Sequence, residues 1–190
     1  MEGDIAQMTN EATVRHELRN MLRYHYGLWP DHWPDIPGTK RPGRPDLIVM
    51  NPRGPGFYIE VKTLYYKRNK SFGFDRIEQS QRNWLSTWEE QRHGGSWLAI
   101  GVIGAPDKRS TFVIPWTYWQ ALEDLVKEHQ HSLPYVAGKG FSKPMQEDRL
   151  DFRLINDFKL DRVPPSERKH LDSGWRFKEE EPWLRNYQSR

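Results

Sequence analysis

The chain contains no cysteine among its 190 residues. This absence excludes a disulfide framework, a thiolate nucleophile and a zinc site built from cysteine. Long apolar runs are also missing, and no stretch approaches the ~20 residues that a membrane-spanning helix needs. The N-terminal segment lacks the basic-then-apolar pattern of a secretory signal. These absences predict a soluble, intracellular protein with a cytoplasmic location.

Apolar residues are scarce, at 36% of the chain against 29% charged residues. Nine Trp, eight Tyr and eight Phe nevertheless supply large buriable surfaces, which argues against disorder. The length suits one domain with its own core. We therefore expect one folded domain over residues 1–130, followed by an extension over residues 131–190 whose pattern is weaker and whose order the sequence leaves open.

Basic residues are concentrated in one part of the chain. The net charge is only +3, but the window from Gly38 to Phe74 holds eight Lys and Arg against two acidic residues. A concentrated basic patch favours a polyanionic partner such as nucleic acid. A solvated basic loop is the alternative interpretation.

Hydrophobic spacing and turn residues predict an α/β fold with a central mixed β-sheet flanked by helices. Thr9 or Asn10 would cap the first helix and Gly27 would end it. A proline-rich loop or extended arm follows over residues 29–45, and residues 65–73 are predicted to be flexible. The predicted elements are a helix over 10–26, a hairpin of strands 47–50 and 57–64, a helix over 75–92, strands 97–103 and 111–114, and a helix over 115–128.

Two carboxylates and a lysine are predicted to meet at one end of the hairpin. Side chains alternate along a strand, so Glu60 and Lys62 project to one face while Ile59 and Val61 point to the opposite, core face. Asp46, at the start of the neighbouring strand, can lie beside Glu60. An E-x-K pair on a strand is often only a surface salt bridge. The aspartate across a Gly/Pro turn and the basic surroundings favour a catalytic group instead.

Such a trio suits phosphodiester hydrolysis. Asp46, Glu60 and the backbone carbonyl of Val61 are hard oxygen ligands, which Mg²⁺ and Mn²⁺ prefer. The ion would polarise the phosphate and activate water. Lys62 would orient the attacking water or neutralise charge in the transition state.

The same residues resemble a known superfamily. Pro45-Asp46 followed by Glu60-x-Lys62 is similar to the signature of the PD-(D/E)XK nucleases, whose restriction-endonuclease-like core has the order αβββαβ. The run Gly43-Arg44-Pro45-Asp46-Leu47, with Glu60, Lys62 and later Gln81 with Trp84, resembles the VRR-NUC branch and the Holliday-junction resolvases. The resemblance covers about residues 10 to 115.

Two further site residues follow from helical geometry and from this resemblance. Glu11 shares the inward face of the first helix with Val14, and members of the superfamily often place an acidic residue there, near the metal. Gln81 lies within the apolar stripe of the second helix, where a buried amide needs partners. Each has a structural alternative, since Glu11 can interact with the helix N-terminus and Gln81 can bond the backbone.

Basic residues near the motif are candidates for nucleic-acid binding. Arg44 precedes Pro45, and a cluster of Lys67, Arg68 and Lys70 is interleaved with aromatic residues that could stack on exposed bases. A solvated loop would have the same composition.

The resemblance implies a Mg²⁺- or Mn²⁺-dependent endodeoxyribonuclease that cuts branched or junction DNA, with a homodimer as the form that makes two symmetric cuts. Two alternatives remain open at this point. One is a restriction-like endonuclease that cuts a specific sequence, and the other is a non-catalytic nucleic-acid-binding module with the same fold. RNA is not excluded as the substrate.

Overall fold

Three α-helices lie within the part of the chain that the structure describes. The computed structural model describes residues 2–32, 43–65, 71–90, 95–103, 109–128, 149–162 and 175–178. Helix α1 (Glu2–Asn20) continues into a π-helical turn (Met21–His25), and α2 (Gln79–Glu90) and α3 (Trp116–Glu128) follow later. Within the described ranges, no helix is long and apolar enough to cross a membrane.

The same described ranges contain nine strands. They are β1 (Trp29–His32), β2 (Leu47–Met50), β3 (Phe57–Tyr65), β4 (Ser71–Gly73), β5 (Ser96–Ile103), β6 (Arg109–Pro115), β7 (Arg149–Asp151), β8 (Asp161–Arg162) and β9 (Trp175–Arg176). Five of them form the central sheet in the order β1-β2-β3-β5-β6, whereas β4 pairs with β7 and β8 pairs with β9.

The central sheet is mixed. β1, β2 and β3 are antiparallel neighbours, β3 and β5 are parallel, and β5 and β6 are antiparallel. A parallel pair needs a crossover connection, which α2 supplies. The predicted α/β fold with a mixed sheet between helices is therefore confirmed, and the αβββαβ order is present from α1 to β5.

One strand of the sheet was not predicted. Residues 29–32 were expected to belong to a loop or extended arm, but they pair with β2 from Trp29 opposite Met50 to His32 opposite Leu47. Pro30 is compatible with this position because β1 is an edge strand, where a missing backbone N–H can face away from the ladder. The remainder of the predicted proline-rich arm, up to residue 42, lies outside the described residues.

Both faces of the sheet are covered. Ile59 and Val61 pack with α1 in one core, which confirms the predicted alternation along β3. Tyr58 and Leu64 belong to a second core that includes residues of α2 and α3. Glu60 and Lys62 therefore project toward the α2 side, between buried apolar neighbours, and not onto an open sheet surface.

The helix boundaries differ from the predicted ones. α1 begins at Glu2, so Thr9 and Asn10 lie inside the helix and do not cap it. Gly27 ends the helical segment as expected, with φ of 66° and its N–H bonded to the Arg23 carbonyl. The start of α2 shifts to Gln79 because a 3-10 turn, Phe74–Arg76, precedes it.

Some segments for which the sequence predicted no regular structure pair or pack with the rest of the fold. Ser71–Gly73 was expected to be flexible but pairs with β7. Ile155, in the 3-10 segment Phe152–Phe158, is buried in the core under α3, and Leu160 is buried in the core under α1. The N–H of Leu160 donates to the carbonyl of Thr111 at 2.8 Å, which ties this segment to β6.

Candidate active site

The site forms where the hairpin ends. β2 pairs with β3 only as far as Ile59, and the same register continued by one residue would set Asp46 opposite Glu60. Beyond Ile59, β2 no longer pairs with β3, and side chains hydrogen-bond the backbone along this edge of β3 instead. The N–H of Val61 donates to Asp46 Oδ2 at 2.8 Å, and the backbone of Thr63 hydrogen-bonds the Glu11 carboxylate. The Asp46 and Glu11 carboxylates thus take the place of a neighbouring strand and accept hydrogen bonds from the backbone of β3.

Glu60 lies at the bottom of the site, with 1% of its side chain exposed. Its Oε1 accepts a hydrogen bond of 2.5 Å from Gln81 Nε2 and lies 2.9 Å from Lys62 Nζ. Its Oε2 is buried and has no hydrogen-bond partner within the described part of the chain. Burial, together with the negative charge of Asp46, raises the pKa of Glu60 to about 8, although Lys62 opposes the shift.

Gln81 is oriented by the start of α2. Its Oε1 accepts a hydrogen bond of 3.0 Å from the backbone N–H of Glu78, the residue that precedes the helix. This is one half of a capping box, in which the third helical residue bonds the capping N–H. Because the amide oxygen is engaged, the amide nitrogen is left to donate to Glu60.

α1 brings a carboxylate and a guanidinium to the same place. The charges that act on Glu11 come from Lys62, Asp46 and Arg76, and burial raises the pKa of this carboxyl group. One helical turn later, Arg15 Nη1 donates to Asp46 Oδ1 at 2.9 Å. Asp46 and Arg15 are 25% and 30% exposed, so solvent reaches the site on their side and not at Glu60.

The structure therefore brings together Asp46, Glu60, Lys62, Gln81, Glu11 and the backbone of Val61, all predicted from the sequence; their roles stay predictions. Arg15 and Arg76 were not predicted. Arg15 follows Glu11 by four residues, a spacing that places both on one helix face, and this signal could have identified it. Arg76 lies in a 3-10 turn that the sequence did not reveal.

The loop before Asp46 packs closely on α2. Gly43 has φ of 86°, and a Cβ there would lie 2.4 Å from the backbone carbon of Ser80. Arg44 is half-buried, and its charge acts on the Tyr58 phenol. The other predicted nucleic-acid contacts, Lys67, Arg68 and Lys70, lie outside the described residues.

The oxygen atoms at the site suit a partly protein-bound divalent ion. Both Asp46 oxygens accept one hydrogen bond and keep further lone pairs, and Glu60 Oε2 is unused among the described residues. The Val61 carbonyl is directed to the same strand edge as its N–H. The described residues hold no cluster of three or more Asp, Glu or His side chains that would enclose an ion. Mg²⁺ does not need one, since it commonly takes one or two carboxylates and completes its shell with water and phosphate.

Comparison with curated proteins finds no significant match. Among solved structures, Hjc, a Holliday junction resolvase from the archaeal hyperthermophile Archaeoglobus fulgidus, matches with a TM-score of 0.39 and 15% sequence identity, over 74% of this chain and 90% of that chain. Residues 7–97 match the sequence model of the VRR-NUC domain. This segment runs from α1 into β5 and includes every predicted site residue. The predicted resemblance is thereby confirmed, and residues 7–97 are similar to the VRR-NUC domain of the PD-(D/E)XK nucleases.

Proposed function

We propose that the protein is a metal-dependent endonuclease that hydrolyses DNA phosphodiester bonds and prefers branched DNA. The proposal rests on the burial of the Glu60 side chain and on the absence of a hydrogen-bond partner for its Oε2 among the described residues. A carboxylate with one oxygen buried and unpartnered within the described chain is costly to keep ionised. A divalent cation held by Glu60 and Asp46 would offset this cost.

Asp46, Glu60 and the Val61 carbonyl would hold Mg²⁺ or Mn²⁺. When bound, the ion would supply polarisation of the phosphoryl oxygen and activation of a water molecule. Asp46 is fixed for this role by the Val61 N–H, and Glu60 is fixed by Gln81 and Lys62. Ligands held by backbone and neighbouring side chains lose little conformational freedom on binding the ion.

Lys62 would act on the reacting atoms. Its side chain is 14% exposed, more than that of Glu60 and less than that of Asp46, so it lies between the bottom and the opening of the site. From there it can donate a hydrogen bond to the attacking water or to the charge that develops on the phosphate. Glu11 would help to bind the ion or the water, and Gln81 would orient Glu60.

The sequence resemblance to the VRR-NUC and resolvase branch supports branched DNA as the proposed substrate. Arg44 and the basic cluster Lys67, Arg68 and Lys70 would contact the phosphate backbone. A homodimer would present two sites to a junction, and a mass measurement in solution with and without junction DNA tests this part of the proposal.

The decisive experiment is cleavage of a labelled DNA panel by the wild type and by Lys62→Ala. The panel contains a single strand, a linear duplex, a flap and a four-way junction, each with Mg²⁺, Mn²⁺ or EDTA. We expect the wild type to cut the branched substrates only with metal, and Lys62→Ala to lose at least about a hundredfold in rate while it still binds DNA.

Arg53→Ala is the matched control, because it removes one positive charge in the hairpin turn, at the end remote from Glu60. It should cut like the wild type. Cleavage of one linear sequence in preference to junctions would indicate a restriction-like enzyme. Tight, salt-sensitive binding without any cleavage would overturn the catalytic proposal and leave a nucleic-acid-binding module.

A further inference from the structure

We infer that Arg15 competes with the metal for Asp46 and, once displaced, binds the phosphate of the substrate. The inference rests on the proposed function and adds a residue to the site that the sequence motif does not contain. It is based on the different hydrogen-bond partners of the two Asp46 oxygens.

The two Asp46 oxygens have unequal partners. Oδ2 is bonded to the Val61 N–H, a backbone group of a central strand that cannot move away. Oδ1 is bonded to Arg15 Nη1 at 2.9 Å, through a long side chain that is 30% exposed. Oδ1 is therefore the oxygen that can change partner, and Arg15 now places a positive charge beside it.

A cation that arrives at Oδ1 must share this oxygen with Arg15 or displace it. A guanidinium close to a divalent ion is repelled by it, since like charges a few ångströms apart disfavour each other. Asp46 cannot turn to satisfy both cations, because its other oxygen is fixed by Val61. The ion pair thus neutralises Asp46 before the metal binds and opposes metal binding.

The displaced side chain is positioned to meet the substrate. Arg15 and Asp46 line the solvent-exposed side of the site, whereas Glu60 lies at its closed end. DNA must therefore approach past Arg15. Arg15 uses one N–H donor on Asp46 and makes no other hydrogen bond or ion pair with the described residues, so its remaining donors are available to phosphate oxygens.

The first test is metal binding without DNA. Mn²⁺ affinity of the full-length protein is measured by electron paramagnetic resonance for the wild type, for Arg15→Gln and for Arg19→Gln. Arg19 is the matched control, because it carries the same charge one turn further along α1 and has no contact with Asp46, Glu60 or Glu11. We expect Arg15→Gln to bind Mn²⁺ about two- to fivefold more tightly, and Arg19→Gln to match the wild type.

The second test is DNA binding with Ca²⁺ over a series of salt concentrations. Arg15→Gln should bind more weakly, with a salt slope lower by about one, as expected for the loss of one phosphate contact. Equal or weaker Mn²⁺ affinity together with an unchanged salt slope would overturn the inference and leave Arg15 as a structural partner of Asp46.

A third measurement needs no loss-of-charge variant, in case Arg15→Gln does not fold. The Arg15 side-chain N–H resonance of the wild type, assigned with Arg15→Lys, should shift when Mg²⁺ is added and again when DNA is added. An Arg15 signal unmoved by both contradicts the inference. If the wild type binds no metal and cuts no DNA, the proposed function itself fails; if it does both while Arg15→Gln behaves like the wild type, only the role of Arg15 fails.

Discussion

At the scale of single residues, Glu60 combines nearly complete burial with an ionisable group. Its pKa is raised from 4.5 to about 8, so the folded state favours the protonated form relative to the unfolded chain. For an acid with a raised pKa, the free energy of unfolding is highest at low pH. It falls as the pH rises from about 4.5 through about 8. Without metal, the carboxylate is thus a source of instability near and above neutral pH.

This leads to a prediction about stability in EDTA. The unfolding temperature of the wild type should fall, relative to that of Glu60→Gln, as the pH is raised from 5 to 9, because the variant cannot lose a proton at this position. Thermal unfolding followed by circular dichroism at several pH values measures the difference. Parallel pH profiles for the two proteins would show that Glu60 is ionised at little cost.

Gln81 is expected to matter more for activity than for stability. Gln81→Ala removes the hydrogen bond that orients Glu60, and a positioning change of this kind typically costs about ten- to hundredfold in activity. Gln79→Ala is the control, since Gln79 bonds Asn83 on the exposed side of the same helix. Cleavage rates and unfolding temperatures of both variants provide the measurement. Equal cleavage rates for the two variants would show that Gln81 does not contribute to the activity of the site.

The sequence predicted those site residues whose geometry is local. Glu60 and Lys62 share a face through strand alternation, and a short turn returns the chain to Asp46. Helical spacing puts Arg15 on the same face as Glu11, but it does not predict that Arg15 meets Asp46. Its contact with Asp46 depends on how α1 crosses the edge of β3, which is decided by packing between elements distant in sequence.

At the scale of elements, α2 is held on two sides. At its start, Gly43 contacts Ser80 so closely that no larger residue fits. Further along, Arg82 forms two hydrogen bonds with the buried Glu123 of α3 and also bonds the carbonyls of Phe74 and Ile77. These contacts fix the helix that carries Gln81.

Gly43→Ala should destabilise the protein by about 2 kcal/mol or more, because it combines a strained backbone conformation with a clash against the Ser80 backbone. It should also slow cleavage, since the loop leads directly into Asp46. Gly54→Ala is the control, because its Cβ would meet only the Asn51 side chain, at 3.4 Å. Urea unfolding measures the difference. Equal stability of the two variants would contradict the described packing.

Glu123→Ala should cost about 3–5 kcal/mol, because it leaves the Arg82 guanidinium half-buried without its charge partner. Glu123 also accepts a hydrogen bond from Trp119 Nε1 at 3.1 Å, which the variant would lose. Asp124→Ala, at the exposed neighbouring position, should change the free energy of unfolding by less than about 0.5 kcal/mol. Urea unfolding again gives both values, and a small effect of Glu123→Ala would mean that water readily replaces the ion pair.

The elements that sequence reasoning missed depend on long-range pairing. β1 carries a proline and pairs with β2, and even the nearest pair of the register, His32 and Leu47, is fifteen residues apart in sequence. β4 exists only through β7, which lies almost eighty residues later. The β2–β3 hairpin was predicted because alternation and a Gly/Pro turn are visible within a few residues.

At the scale of the whole molecule, the described residues after 148, namely 149–162 and 175–178, include side chains that pack in the two cores of the sheet that carries the site. Ile155 packs in the core under α3 and Leu160 in the core under α1, while Phe177 contacts the rings of Tyr26 and Trp97. We therefore expect the described parts of the chain to unfold as one cooperative unit.

Ile155→Ala tests this expectation. The variant should lose about 2–5 kcal/mol of stability and keep a single transition, with circular dichroism and tryptophan fluorescence giving the same midpoint. Asn156→Ala is the exposed control beside it. Two separate transitions, or an unchanged midpoint in Ile155→Ala, would mean that the C-terminal segment is only loosely attached.

The hydrogen bonds that Asp46 and Glu11 accept from β3 have a practical consequence for trapping the proposed nuclease on DNA. Because Asp46 and Glu11 accept hydrogen bonds from the backbone of Val61 and Thr63, truncating either carboxylate removes a structural bond together with a charge. An amide keeps the accepting oxygen and loses the charge. Under the proposed function, we therefore expect Asp46→Asn and Glu11→Gln to give a folded, inactive protein that still binds DNA and suits structural work.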